Sequence, residues 1–314
     1  MWRPGAQTWE EGVQDQFVTT DLDTLLTALY VFCDDHLAPA ERKRPGRRKK
    51  LSDAELLCLA VAQVLLGFPS QHHWLRFAYG RLGHLFPYLP HQPGYHKRLI
   101  AATPLILRAI QMLAARVPSH TDQLRLIDAT PLPCGTSRET VKRSQLAGWA
   151  NYGYCASHSR FYWGLKLYLV TTLEGMPVVW CLADPKLGER EVAADLLAHA
   201  CDLAAFPASV VVIGDKGFAG REFERDMTEL GITFVRPDRR NETRRHGNLA
   251  IIRQRIESII QTAKRQLSLE QHGARTTTGV LARVAQRLLA LATTIWHNWT
   301  INAPVKRSLI AYDH

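Results

Sequence analysis

Cysteine is scarce in this sequence, and no two cysteines stand at metal-binding spacing. The six cysteines among 314 residues occur singly, at positions 33, 58, 134, 155, 181 and 201. Without a Cys-x-x-Cys pair, the chain lacks the ligand spacing of a zinc ribbon and the motif of a thiol oxidoreductase. We therefore interpret the cysteines as small apolar residues of a reduced protein.

Long apolar runs are also missing, although 46% of the residues are hydrophobic. The longest run, LLCLAVAQVLLG, is shorter than the roughly 20 residues that span a bilayer. The N-terminal stretch MWRPGAQTWEEG contains acidic residues and no apolar segment of a secretory signal. These absences predict a cytoplasmic protein with no membrane partner, and the length of the chain predicts two domains.

Acidic residues are outnumbered by basic ones, with 29 Asp and Glu against 39 Lys and Arg and a formal net charge of +10. The excess is clustered, with seven basic residues within positions 42–50 and five arginines between 236 and 245. Clustered positive charge is typical of proteins that bind nucleic acid. Many basic proteins bind none, so the charge by itself leaves the partner open.

Residues 1–120 have helical apolar spacing and form the first predicted domain. Ser52 and Glu55 have the three-residue spacing of a capping box, and Pro104 predicts a break in the last helix. With the basic arm at 42–50, these helices suit DNA-end binding or dimerisation. A helix-turn-helix DNA reader and a bundle that only packs both remain open.

Residues 121–314 form the second predicted domain, whose pattern changes to strands alternating with helices. The order β-β-β-α-β-α-β-α predicts an α/β fold, a mixed sheet flanked by helices. Asp128 ends the predicted strand LRLID, and Asp215 ends the predicted strand SVVVIGD. Functional sites of such sheets lie beyond the carboxyl ends of strands, so these two carboxylates are candidate site residues.

The predicted helix IIRQRIESIIQTAKR places Arg253, Glu257 and Lys264 side by side next to its apolar face. A solvated Arg-Glu pair is the simplest interpretation. Together with Asp128 and Asp215, however, Glu257 completes a set of three carboxylates that suits Mg²⁺ or Mn²⁺. Two such ions would activate a water or a 3′-hydroxyl and stabilise the leaving oxygen of a phosphodiester.

Three motifs carry a resemblance to a known family: IDATPLP, VVIGDKGFAG and RQRIESIIQTAK. Over about residues 121–300 the chain resembles bacterial insertion-sequence transposases of the DDE type, which have an RNase H-like catalytic domain. The resemblance implies that Asp128, Asp215 and Glu257 bind two Mg²⁺ or Mn²⁺ ions. It also implies that Arg253 and Lys264 contact DNA. The family often has a tyrosine three positions before this arginine, where the chain has Ala250.

The resemblance further implies a nucleoid-associated bacterial enzyme that acts as a homodimer on double-stranded DNA. It would cut element ends and join them to target DNA. Trp149 is a further candidate for base stacking, because it precedes Tyr152 and Tyr154 in a long predicted connection between strands. The candidate DNA-binding residues outside the third motif are Trp149, Arg239, Arg240, Arg244 and Arg245.

Several other functions compete with this interpretation. The glycines of IGDKGFAG do not have GxGxxG spacing, which disfavours a dinucleotide-binding loop. An aspartyl phosphatase would need acidic residues where the chain has Thr130 and Ala219. A catalytically silent, transposase-derived DNA-binding protein and a metal-dependent nuclease that does not transpose both remain open.

Overall fold

The computed structural model describes the backbone at positions 11–37, 49–155, 159–239, 242–243, 247 and 249–303, with side chains from position 22 onward. Most of the predicted basic arm at 42–50 lies outside the described residues. So do three of the arginines predicted to bind DNA, Arg240, Arg244 and Arg245.

The described part of residues 1–120 is helical, as predicted, and contains the helices α1 (Glu11–Leu37), α2 (Asp53–Leu65), α3 (Gln71–Arg81), α4 (Gln92–Ala101) and α5 (Thr103–Ala114). The capping box at the start of α2 is present. The Ser52 hydroxyl accepts the Glu55 N–H at 3.0 Å, and the Glu55 carboxylate accepts the Ser52 N–H at 2.5 Å. The predicted break falls at Ala102, and Pro104 lies in the first turn of α5, where its missing N–H costs no helical bond.

Six strands form one mixed sheet: β1 (Leu124–Gly135), β2 (Asn151–Cys155), β3 (Arg160–Thr171), β4 (Pro177–Ala183), β5 (Val211–Ile213) and β6 (Thr233–Val235). The strand order is β2-β3-β1-β5-β6, and β4 also pairs with β3. Pairing is antiparallel around β3 and parallel from β1 through β5 to β6. The predicted mixed sheet is therefore confirmed, and β2 is an additional strand where a loop was predicted.

The structure corrects the position of Asp128. The first strand was predicted to end at this residue, but β1 continues to Gly135 because its second half pairs with β3. On its other side β1 pairs with β5 only as far as Leu126. Pro131 and Pro133, which lack an N–H, are tolerated in β1 because that edge has no β5 partner there.

The remaining helices are α6 (Arg138–Arg143), α7 (Glu189–Asp202), α8 (Arg221–Glu229), α9 (Ala250–Arg265) and α10 (Thr277–Thr300). Alternate strand residues face two apolar clusters, one on each side of the sheet. One cluster packs the sheet against α9, α10 and the first five helices, and the other packs it against α7 and α8. No helix in the described part of the chain is long and apolar enough to cross a membrane.

Helix α10 joins the first helices to the sheet region through buried polar bonds. The Gln286 amide donates to the Ala60 carbonyl at 2.8 Å, and the Arg287 guanidinium donates to the Ser268 carbonyl at 3.0 Å. These bonds connect α10 with α2 on one side and with the segment after α9 on the other. The division into domains at residue 120 stays a prediction.

Candidate active site

The three candidate carboxylates line one cleft of about 930 Å³ beside the central strand β1. Asp128 and Asp215 meet because β1 and β5 are parallel and pair Leu126 with Ile213, two residues before each aspartate. Glu257 comes from α9, whose buried Ile256 and Ile260 pack on the sheet. The structure thus brings together residues that lie 87 and 42 positions apart in sequence (215 minus 128, 257 minus 215).

Close packing around Gly214 positions Asp215 directly after β5. A Cβ at Gly214 would lie 2.6 Å from Cζ of Phe234, so a larger residue there would displace the end of the strand. The Asp215 carboxylate then accepts the N–H of Lys216 at 2.5 Å and caps a short 3-10 turn. These contacts hold the Asp215 side chain at the mouth of the cleft.

Asp128 has the most perturbed acidity in the cleft. The pKa of its carboxyl is raised to about 6, chiefly by burial and also by the neighbouring Asp215 and Glu257, while the Ala129 N–H and Arg253 act in the opposite direction. The Ala129 N–H donates to Oδ1 of Asp128 at 2.8 Å. Burial and the neighbouring carboxylates therefore disfavour ionised Asp128, and a bound cation would favour it.

Arg253 supplies part of that compensation. Its Nη2 lies 3.2 Å from Oδ1 of Asp215 and 3.7 Å from Oε1 of Glu257. The second contact is the pair within one helix that the sequence pattern predicted, but the first joins α9 to the end of β5. Arg253 is therefore part of the acidic cleft as well as a partner of Glu257.

The carboxylates of the cleft are the type of ligand that a divalent cation prefers, because they are hard oxygen donors. The raised pKa of Asp128 reflects its burial first and the nearby Asp215 and Glu257 second, and a bound cation would offset both effects. Among the residues that the structure describes, no group of three His, Cys, Asp or Glu side chains stands at metal-ligand spacing. The Arg253 guanidinium already pairs with Asp215 and Glu257, so a metal would have to compete with it.

The other residues predicted to contact DNA differ in where they lie relative to the cleft. Lys264 lines the cleft, but its side chain is only 13% exposed and its Nζ lies 3.1 Å from Oε1 of Glu270. Arg239 lies beside Asp215 and Lys216 in an adjoining hollow, with its guanidinium donating to the Ala219 carbonyl at 3.3 Å. Together with Arg253, three of the predicted cations therefore lie in or next to the site.

Trp149 is half-buried against the apolar core and is not among the residues that line the cleft. The aromatic residue that does line the cleft is Tyr154, whose ring centroid lies 5.0 Å from that of Phe161. Tyr152 and Tyr154 belong to β2, which corrects their predicted place in a loop. The predicted stacking role of Trp149 stays a prediction.

Two further cleft residues, Lys166 and Glu189, were missed in the sequence. Nζ of Lys166 lies 2.5 Å from Oε1 of Glu189. A signal was present, because Lys166 interrupts the otherwise apolar stretch GLKLYLV of β3. A charged residue at an inward position of a strand requires a partner or a function, and the sequence did not show which residue supplies the partner.

An RNase H-like arrangement results, with a mixed sheet flanked by helices and carboxylates from β1, the end of β5 and α9 in one cleft. The family model described as "Transposase DDE domain" matches residues 119–293. The chain belongs to this family of DDE transposases, and no curated protein matches it.

Proposed function

We propose that this protein binds the ends of an insertion sequence, cuts DNA there and joins the cut ends to target DNA. The observation that carries the proposal is the convergence of Asp128, Asp215 and Glu257 in one cleft. Membership of a family of transposases that use divalent metal ions and act on DNA supports it. Asp128, Asp215 and Glu257 would together hold two Mg²⁺ or Mn²⁺ ions.

When bound, the metal ions would supply the Lewis acidity that activates the attacking hydroxyl and stabilises the leaving oxygen. Water attacks first and releases a 3′-hydroxyl at the element end, and that hydroxyl then attacks a target phosphodiester in line. No side chain of the cleft is required as a general acid or base. The three carboxylates act as ligands, so all three must be ionised during the reaction.

The chain's own cations would position the DNA. Arg253 is the one most directly placed, since its guanidinium borders two of the carboxylates and is partly exposed. With a metal ion bound to those carboxylates, the guanidinium would be free to contact a phosphate. Lys264 and Arg239 would extend the basic surface to either side. Arg240, Arg244, Arg245 and Trp149 are further proposed DNA contacts.

The first five helices and the basic arm at 42–50 are proposed to engage the element ends. Strand transfer requires two ends held together, so we propose a homodimer on DNA. The formal net charge of +10 favours binding to double-stranded DNA through the phosphates of the DNA. A catalytically silent DNA-binding derivative and a nuclease without strand transfer are the competing proposals. Retention of all three carboxylates in one cleft favours an active enzyme over the first of these.

Nicking of labelled DNA that carries the element's flanking ends tests the proposal, with Mg²⁺ or Mn²⁺ and with EDTA as the metal-free control. We expect metal-dependent nicking by the natural protein and at least a hundredfold loss in Glu257→Gln, with DNA binding retained. Glu229→Gln is the matched control, because Glu229 is an exposed helical glutamate outside the cleft. Equal nicking by Glu257→Gln and the natural protein would refute the triad.

A second stage of the same assay separates the competing functions. Joined products formed from pre-cut ends and a target plasmid would establish strand transfer. Nicking without joined products would instead favour a nuclease, and DNA binding without nicking would favour the silent derivative.

A further inference from the structure

The cleft has a second charged wall, formed by Lys166 and Glu189, on the side of the sheet away from α9. Lys166 is on β3 opposite Pro131 of β1, so it shares a face with alternate residues that pack toward α7 and α8. Glu189 is the first residue of α7, where a carboxylate is favoured by the helix dipole. Both side chains line the same cleft as Asp128.

Lys166 is held firmly in this wall. Its neighbours in β3, Leu165 and Leu167, are buried, and its own side chain is only 15% exposed. The ammonium group lies 2.5 Å from Oε1 of Glu189. A lysine ammonium carries three donors, so this bond uses only one of them.

Glu189 also lies against the turn that follows Asp215. A Cβ at Gly217 would lie 3.4 Å from Oε2 of Glu189, which places the carboxylate against the short turn after Asp215. The same carboxylate adds to burial in raising the pKa of Tyr162 to about 12, so the tyrosine hydroxyl stays neutral. Of the two charged residues that form this wall, Lys166 carries the positive charge.

The described residues that line the cleft carry charges of both signs. Four carboxylates line the cleft, Asp128, Asp215, Glu189 and Glu257, together with three cations, Lys166, Arg253 and Lys264. Two divalent ions would bring four further positive charges and make the cleft strongly positive. Arg253 approaches the space from α9 on one side of the sheet, and Lys166 approaches from the other.

We propose that Lys166, positioned by Glu189, binds a phosphate of the DNA strand from the side of the cleft opposite Arg253. This inference rests on the proposed function, because it assigns a further residue to the binding of the same DNA. A strand that runs past Asp128 would then be held between two cations from opposite sides of the sheet. Glu189 is a positioning residue in this arrangement, since it acts on the DNA through Lys166.

The salt dependence of DNA binding measures the proposed contact. Loss of one phosphate contact on duplex DNA lowers the slope of log affinity against log salt concentration by about 0.9. Lys166→Gln removes the charge but keeps an N–H for Glu189, and we expect it to bind DNA more weakly with this lowered slope. Lys166→Arg keeps the charge and should restore the slope of the natural protein.

Lys186→Gln is the matched control, because Lys186 is exposed and is not among the residues that line the cleft. Glu189→Gln tests positioning and should retain the salt slope while lowering the rate of nicking at saturating DNA. A merely structural pair predicts a different pattern, in which the melting temperature falls and neither slope nor rate per folded molecule changes. Melting curves of all variants identify that case.

The outcomes separate this inference from the function on which it rests. A natural protein that neither binds nor nicks DNA would overturn both. A natural protein that binds and nicks DNA, with the same salt slope in Lys166→Gln, would overturn only the phosphate contact. Lys166 and Glu189 would then be an ion pair that joins β3 to α7. A slope lowered in Lys166→Gln and restored in Lys166→Arg establishes the contact.

Discussion

The guanidinium of Arg253 is paired with Asp215, with Nη2 3.2 Å from Oδ1. The two residues belong to different elements, α9 and the turn after β5, so the pair exists only in the folded protein. In the proposed function, the phosphates of bound DNA are a second partner for Arg253 besides the carboxylates of the cleft. We therefore expect a cation that binds these carboxylates to compete with the arginine, and metal binding to be linked to DNA binding.

Arg253→Gln should change the affinities for metal and for DNA in opposite directions. Without the competing guanidinium, we expect Mn²⁺ to bind several-fold more tightly at pH 8, where Asp128 is ionised. DNA should bind more weakly, with the salt slope lowered by about 0.9. Calorimetric titration with Mn²⁺ and fluorescence titration with labelled DNA measure the two affinities.

Arg255→Gln, on an exposed position of the same helix, should change neither metal binding nor the nicking rate. Weaker binding of both ligands in Arg253→Gln would contradict the competition.

Asp128→Asn should stabilise the metal-free protein above pH 6. The pKa of Asp128 is raised from 3.8 to about 6 by burial and by its acidic neighbours. The folded protein therefore holds this proton more tightly than the unfolded chain does. Proton binding at Asp128 therefore stabilises the folded protein fully below pH 4, and this stabilisation is lost as the pH rises through about 6. We expect the melting temperature of Asp128→Asn to exceed that of the natural protein by about 3 °C at pH 7.5.

The comparison is made by thermal melting in EDTA at several pH values. The difference should shrink toward pH 4, and Mn²⁺ should stabilise the natural protein more than the variant. Asp202→Asn, at the exposed end of α7, provides the control. A difference in melting temperature that does not change with pH would show that electrostatics of Asp128 are not its cause.

Trp149→Ala tests whether the indole stacks on a base. Stacking of one base contributes about 1 to 3 kcal/mol, so its loss predicts at least about fivefold weaker DNA binding. The half-buried ring also packs on the core, so the melting temperature should fall as well. DNA affinity is therefore measured well below the melting transition. A lowered melting temperature with unchanged affinity would assign the ring to packing alone.

Ser52→Ala should lower the free energy of unfolding by about 1 kcal/mol, because it removes the side-chain cap of α2. The Glu55 N–H then loses its acceptor at the start of a helix that packs in the core. Chemical denaturation measures the change. Ser70→Ala should cost less, because the Ser70 hydroxyl is 3.4 Å from the His73 N–H that it caps. An equal or larger cost for Ser70→Ala would contradict this ranking.

Local patterns predicted most of the elements, because capping and periodicity act within a few residues. The capping box of α2 and the break before α5 are examples. The apolar side of α9 was predicted from its spacing, and the buried Ile256 and Ile260 confirm it. Thr262 of the same helix is buried too.

Predictions that depended on pairing between distant segments were less accurate. The end of β1 was misplaced because its second half is stabilised by β3, whose partner residues lie 28 to 39 positions later in the chain (163 minus 135, 168 minus 129). Strand β2 was missed for a similar reason, because its short polar and aromatic sequence becomes a strand only beside β3.

The sequence by itself determined the chemistry that is available to this protein. Its motifs supplied the three carboxylates, the arginine and the lysine, and their spacing indicated the family of DDE transposases. Tertiary structure decided which of these groups meet and in what state. The parallel pairing of β1 with β5 brings Asp128 beside Asp215, and burial in the cleft raises the pKa of Asp128. The cause is physical: residue type and local periodicity are properties of short segments, whereas distance and desolvation across a cleft exist only after distant segments have packed.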